Sequence, residues 1–189
     1  MNDLVQDWIN DPAGKFALLD LVMKLSARDL VYLVPPLLVV MWFWPANERA
    51  LNQRLAVATC IAAVTGLGLA ALLAHFVFEA RPFISDGDTH LLIQHAADNG
   101  FPSDHTTLAF AVAGAILVWR RSLGLVCLAL ATALGIARIY VGVHWPSDII
   151  VGAVIGLVAG YTVARCLPLL EVPQRLLSRV LPRQLIAAP

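Results

Sequence analysis

Residues 123–167 read LGLVCLALATALGIARIYVGVHWPSDIIVGAVIGLVAGYTVARCL. Two apolar runs, about 123–142 and about 147–167, meet at a short polar junction. Each run has the roughly 20 residues an α-helix needs to cross a bilayer core. Only Arg138, Asp148 and Arg165 carry formal charge in the whole stretch. Pro146 suits the first position of a helix, so the second run is expected to begin there, with Asp148 in its first turn. Gly152, Gly156 and Gly160 recur every four residues. A neighbouring helix can approach such a stripe closely, although the same glycines can also face lipid.

Working outward, the pattern repeats. Further spans are expected at about 30–45, 55–78 and 104–119. Pro35-Pro36 is expected to kink or break the first of these. Trp42 and Trp44 mark its interfacial end. Before it, Asp20, Lys24 and Arg28 share one helix face and Leu18, Leu21, Val22 and Leu25 the other. Residues 14–28 therefore read as a helix lying at the interface, with a short tilted span as the alternative. The expected architecture is all-α: a polytopic helical membrane bundle of about five to six spans with an N-terminal amphipathic interfacial helix. Its division is 1–29 interfacial segment, 30–170 membrane domain, and 171–189 a basic cytoplasmic tail.

Composition agrees. Of 189 residues 59% are hydrophobic and 14% charged, against roughly a quarter charged in soluble domains. Mean hydropathy is +0.76. A very apolar soluble bundle is disfavoured by the length of the runs. Net charge is zero and gives no sign of a nucleic-acid partner. Cys60, Cys127 and Cys166 all lie in apolar runs, which argues against disulfides or a thiolate metal site. The acidic start Met1-Asn2-Asp3 does not resemble a cleavable signal. Arg49, Arg54, Arg120, Arg121, Arg165, Arg175, Arg179 and Arg183 all fall at one membrane face, expected to be cytoplasmic. The N-terminus is then outside and the C-terminus inside.

Three polar clusters fall at the opposite face: Glu79-Ala80-Arg81-Pro82-Phe83, Pro102-Ser103-Asp104-His105, and Arg138 with His144 and Asp148. Ser103 is placed to N-cap the 104–119 helix, and helix N-termini attract phosphate. Arg81 and Arg138 can grip phosphate oxygens bidentately. Asp148 can reach back to one His144 nitrogen and leave the other free to attack phosphorus. His105 can protonate a leaving oxygen. Taken singly, these are an N-cap, snorkelling arginines, interfacial histidines and a capping charge. Their convergence at membrane depth, where ionisable groups are costly, points to a phosphate site. His75 and Glu79, four apart, either face the site or close their helix end. Asp104 either serves the substrate, tunes His105, or is a charge at a helix start. His90–His95 reads as a loop lid or interfacial segment. No His-x3-His or Glu-x-x-His spacing occurs, and two arginines repel a cation, so no metal or other cofactor is expected.

These clusters resemble the signature of the type-2 phosphatidic acid phosphatase superfamily: Lys-x6-Arg-Pro, Pro-Ser-Gly-His and Ser-Arg-x5-His-x3-Asp. Arg81-Pro82, then Pro102, Ser103 and His105, then Arg138, His144 and Asp148 match. Ala74, Asp104 and Ala137 depart from it, at the positions of the lysine, the glycine and the serine. The strings FEARPF, HAADNGFPSDHTT and ARIYVGVHWPSDII resemble the bacitracin-resistance type of undecaprenyl-diphosphate phosphatase. That type shares the missing lysine, the Glu two residues before the Arg, and the Asp of the second motif. The resemblance implies removal of the terminal phosphate of a polyprenyl diphosphate at the outer face of a bacterial plasma membrane. It also assigns His144 as nucleophile, His105 as acid then base, Asp148 as orienter, and Arg81, Ser103 and Arg138 as phosphate holders. Residue chemistry alone would allow the two histidines to exchange roles. The rivals are another lipid phosphate as substrate and a lipid carrier or flippase without hydrolysis.

Overall fold

The computed structural model describes residues 2–44 and 46–166. The basic tail expected at 171–189, with Arg175, Arg179 and Arg183, lies outside the described residues. The helices in order are α1 (Asn2–Asn10), α2 (Ala17–Asp29), α3 (Val34–Phe43), α4 (Arg49–Phe76), α5 (Pro82–Ser85), α6 (Asp104–Trp119), α7 (Arg121–Tyr140) and α8 (Pro146–Arg165). Among the described residues four stretches are long and apolar enough to cross a membrane: 17–43, α4, α7 and α8; the apolar α6 is shorter. The chain is a multi-pass, all-helical membrane protein.

α2 and α3 run on through a 3-10 turn at Leu30–Leu33. Pro35 and Pro36 stand in the first turn of α3, where the missing N–H costs nothing, and the α-helical ladder is interrupted by the 3-10 turn just before them. The stretch 17–43 is thus one 27-residue candidate span, across the 29/30 boundary drawn from sequence. Of its polar face, Asp20 turns inward while Arg28 stays exposed. Asp20 is buried and accepts a 2.8 Å hydrogen bond from the Tyr140 hydroxyl, whereas Leu18, Leu21, Val22 and Leu25 are exposed. α1 follows the same rule: Leu4 and Trp8 face outward, Gln6 and Asn10 inward. Asn10 Nδ2 donates to the Tyr140 carbonyl at 2.7 Å and Gln6 Nε2 to that of Ile139 at 3.5 Å. These carbonyls end α7; that of Ile139 also accepts from the Gly142 N–H at 3.0 Å, and α1 adds side-chain donors to this helix end.

The tightest packing is between α6 and α8. A Cβ on Gly152 would stand 2.9 Å from the Ser103 carbonyl oxygen. One on Gly156 would collide with the Thr107 carbonyl oxygen, and one on Gly160 with that of Ala111. The glycine stripe therefore receives the α6 backbone at positions 103, 107 and 111, one turn apart, as the four-residue spacing allowed. This seam fixes the starts of both helices side by side. α4 packs on both.

The ends of α4 and α7 and the starts of α6 and α8 gather at one end of the bundle, with the 77–103 connection over them. Arg49, Arg54, Arg120, Arg121 and Arg165 lie at the other end, where Arg120 Nη2 donates to Asn52 Oδ1 at 2.8 Å.

Candidate active site

The site is built on the starts of α6 and α8. Ser103 has extended backbone and N-caps α6, its Oγ accepting from the Thr106 N–H at 3.4 Å and the Thr106 hydroxyl at 3.1 Å. The Ser103 N–H donates to the Asp148 carbonyl, which ties the two helix starts together. α8 begins at Pro146. Asp148, in its first turn, is fully buried and turns its Oδ2 back onto the Trp145 N–H at 2.9 Å and onto His144 Nδ1 at 3.1 Å. The turn that carries His144 is set by Gly142 at φ +81°, where a Cβ would meet the His90 carbonyl oxygen at 2.6 Å. A side chain would be strained there in backbone and in space.

His144 Nε2 faces two guanidinium groups: Arg138 Nη2 at 3.1 Å and Arg81 Nη1 at 3.3 Å. Arginine only donates, so Nε2 accepts and the ring proton sits on Nδ1, against Asp148. Burial, then Arg138, then Arg81, hold the imidazole well below its ordinary pKa of 6.5. A neutral nitrogen with its lone pair among cations is the state a nucleophile toward phosphorus requires. Arg81 also donates to the Val143 carbonyl at 2.8 Å and to Asp98 Oδ1 at 2.8 Å. That ion pair holds Asp98 below the usual carboxylate range. Arg138 is buried, and its Nε has no partner among the described residues. A buried cationic donor of this kind awaits an oxygen.

The remaining residues named from sequence divide. His105 and Asp104 lie at the start of α6 and line an open groove of about 410 Å³ whose other walls are Val31, Tyr32, Val34, Pro35, Leu67 and Leu108. His105 is close enough to Arg138, His95 and Arg81 to feel their charge. Glu79 accepts from the Ser147 hydroxyl at 3.4 Å and from the Asn2 amide at 3.4 Å. His75 is exposed, edge-on to Phe76 at 5.3 Å. Ala74, where the common motif has lysine, offers only its carbonyl, to Asn99 Nδ2 at 3.1 Å.

Several participants escaped the sequence reading. Asn99 stitches the connection to α4: its amide donates to the Ala74 and Val77 carbonyls and its Oδ1 accepts from the Glu79 and Phe101 N–H groups. Gly100 lets the chain pass over Arg81, whose Cγ would stand 3.2 Å from an added Cβ. His95 Nε2 lies 3.4 Å from Arg138 Nη2. The adjacent DNG triplet (98–100) of the quoted HAADNGFPSDHTT string was the available signal.

A buried His–Asp pair aimed at two arginines, at the end of a bundle of apolar helices, defines a membrane phosphatase. The chain belongs to the PAP2 superfamily, whose family model matches residues 53–170. The protein YbjG of Escherichia coli (strain K12) is 36% identical over 133 residues, which span 70% of this chain and 65% of that one. Undecaprenyl-diphosphatase BcrC of Bacillus subtilis (strain 168) is 30% identical over 82% of this chain and 78% of its own length. In structure, the chain is similar to Aquifex aeolicus LpxE, with a TM-score of 0.72 and 27% identity over 87% of this chain and 94% of that one.

Proposed function

We propose that this chain hydrolyses undecaprenyl diphosphate to undecaprenyl phosphate and phosphate, through a phosphohistidine on His144. The observation that carries the reading is the His144 ring itself, with Nδ1 held by Asp148 and Nε2 turned to Arg81 and Arg138. In the first step Nε2 bonds to the terminal phosphorus and the bridging P–O bond breaks. His105 supplies the proton to the bridging oxygen, which leaves on undecaprenyl phosphate. In the second step water attacks the phosphohistidine, His105 takes the water's proton, and phosphate leaves. Arg81, Arg138 and the Ser103 helix start offset the charge that builds on the phosphoryl oxygens. Asp148 keeps the tautomer and balances the imidazolium character of the intermediate. Glu79 and Asp104 lie beyond the ring of direct phosphate holders; their proposed part is to shape the field around Asp148 and His105.

The substrate assignment draws support from the Bacillus subtilis relative's name and from the apolar groove that opens beside His105. A polyprenyl chain can lie in that groove while its diphosphate reaches the arginines. Residues 30–170 would form the catalytic unit. The site is assigned to the extracytoplasmic face of a bacterial plasma membrane because Arg49, Arg54, Arg120, Arg121 and Arg165 lie at the other end of helices α4, α6, α7 and α8.

The test is phosphate release in detergent with EDTA, from undecaprenyl diphosphate and from phosphatidic acid, by the wild type and His144→Ala. Release from the polyprenyl substrate that survives EDTA and vanishes in the variant is expected. Release from neither substrate would leave a carrier or flippase; preference for phosphatidic acid would replace the substrate; loss in EDTA would bring in a metal.

A further inference from the structure

Arg138 Nη2 stands between two imidazoles. His144 Nε2 lies 3.1 Å from it and His95 Nε2 3.4 Å. The two rings are alike in their other contacts. His144 Nδ1 donates to Asp148, and His95 Nδ1 donates to the Ala96 carbonyl at 3.2 Å. Both therefore carry their proton on Nδ1 and turn a lone pair to the same guanidinium group. Their ring centroids are 6.5 Å apart. They differ in exposure: the His144 side chain is 3% exposed and that of His95 24%. His95 can exchange protons with water; His144 is sealed.

We propose that His95 is a phosphate-contacting residue of this site: a phosphoryl oxygen takes its place on Arg138, and the released Nε2 gains a proton and donates it to that phosphoryl group. The inference rests on the reading that the site receives a phosphoryl group. The charged groups around His95 decide when it protonates. They are Arg138 from α7, Arg81 from the start of α5, His144 from the α7–α8 turn, His105 from α6, and Asp98 from its own connection. Burial first, then the arginines, hold the ring below its ordinary 6.5, opposed by the hydrogen bond to the Ala96 carbonyl and, from 3.9 Å, by Asp98. An arriving phosphate dianion cancels both arginines and adds an acceptor, so the imidazolium becomes the favoured form. The connection does not need His95 to stay in place. Asp98 on Arg81, and Asn99 on the Ala74 and Val77 carbonyls, anchor it independently.

Binding of inorganic phosphate and of orthovanadate to the detergent-solubilised full chain tests this. Calorimetry in two buffers of different ionisation enthalpy counts the protons taken up, for wild type, His95→Gln and His95→Asn, between about pH 6 and about pH 8. The wild type should take up more protons than either variant. The variants should bind phosphate roughly tenfold more weakly at the acid end, with the gap closing at the alkaline end as an imidazolium contact is lost. A purely structural His95 would instead shift affinity equally at every pH. Wild-type affinity and proton uptake in both variants would overturn the proposal, as would an effect independent of pH. Wild-type protein that binds phosphate yet leaves undecaprenyl diphosphate intact would contradict the substrate reading alone, because the comparison at His95 uses only inorganic anions.

Discussion

The α6–α8 seam and the 77–103 connection face each other across the site and are held by different forces. The seam is backbone against backbone: three glycines of α8 receive the turns of α6 that begin at Ser103. The connection has little regular structure beyond the four residues of α5. Side-chain hydrogen bonds from Asn10, Asn99 and Trp145 tie it down. The seam side and the turn into α8 supply Ser103, His105, His144 and Asp148; the connection supplies Arg81, His95 and Asp98. His144, the proposed nucleophile, thus stands on the backbone-packed part, and Arg81, a proposed phosphate holder, on the part tied down by side chains. A site arranged this way can admit a bulky lipid diphosphate without moving the reacting nitrogen.

The largest expected effect breaks the seam. Gly156→Leu drives a side chain into the Thr107 carbonyl and the Ala111 N–H. Overpacking of a backbone contact costs on the order of 3 kcal/mol or more. The variant should fail to give a monodisperse peak in detergent, whereas Val154→Leu, on the exposed face of α8, should behave as wild type. Next comes His144→Ala, which keeps the seam but removes the nitrogen. Turnover should fall at least about a thousandfold with the thermal midpoint little changed, as for a lost nucleophile. Asn99→Ala loosens only the connection, freeing four hydrogen bonds at once. It should lower turnover roughly tenfold, restored in part at high substrate, because it displaces Arg81 rather than His144. Amide exchange should rise at 86–100 and not in α6 or α8.

The smallest effect is on stability against pH, and it separates the two sides by sign and window. His144 has a lowered pKa in the fold. Below about 6.5 the unfolded chain binds a proton that the fold refuses, so its contribution is lost as pH falls from there. Asp98 is also lowered, by Arg81. Its contribution is complete above the ordinary carboxylate value of 3.8 and disappears only as pH falls through the lower folded value. Thermal midpoints should therefore drop in two stages on acidification. Asp98→Asn should erase only the later, smaller one, since that carboxylate is largely exposed.

What sequence reveals follows the same division. The spans, the Ser103 cap, the Pro146 start, the His144–Asp148 spacing and the glycine stripe all obey helical period or cap chemistry, which are local rules. Asp20, Lys24 and Arg28, spaced four apart, obeyed the period too, but the direction that Asp20 takes did not follow from it. Lipid takes the apolar face, and Asp20 turns inward to Tyr140. The long-range ties have no period at all. Asn2 donates to the Ser147 hydroxyl at 2.9 Å across 145 residues, and His95 reaches Arg138 across 43. The string HAADNGFPSDHTT marks the stretch that holds His95, Asp98 and Asn99, but no local rule says which distant groups they reach, and Asn2 has no such mark.

The central claim is that His144 takes the phosphoryl group. Rapid quenching of turnover with substrate labelled on the terminal phosphate tests it most directly. The account predicts label on the protein that is stable to base and labile to acid, absent from His144→Ala and present in His95→Gln. Undiminished labelling in His144→Ala, or full turnover by that variant, would contradict it.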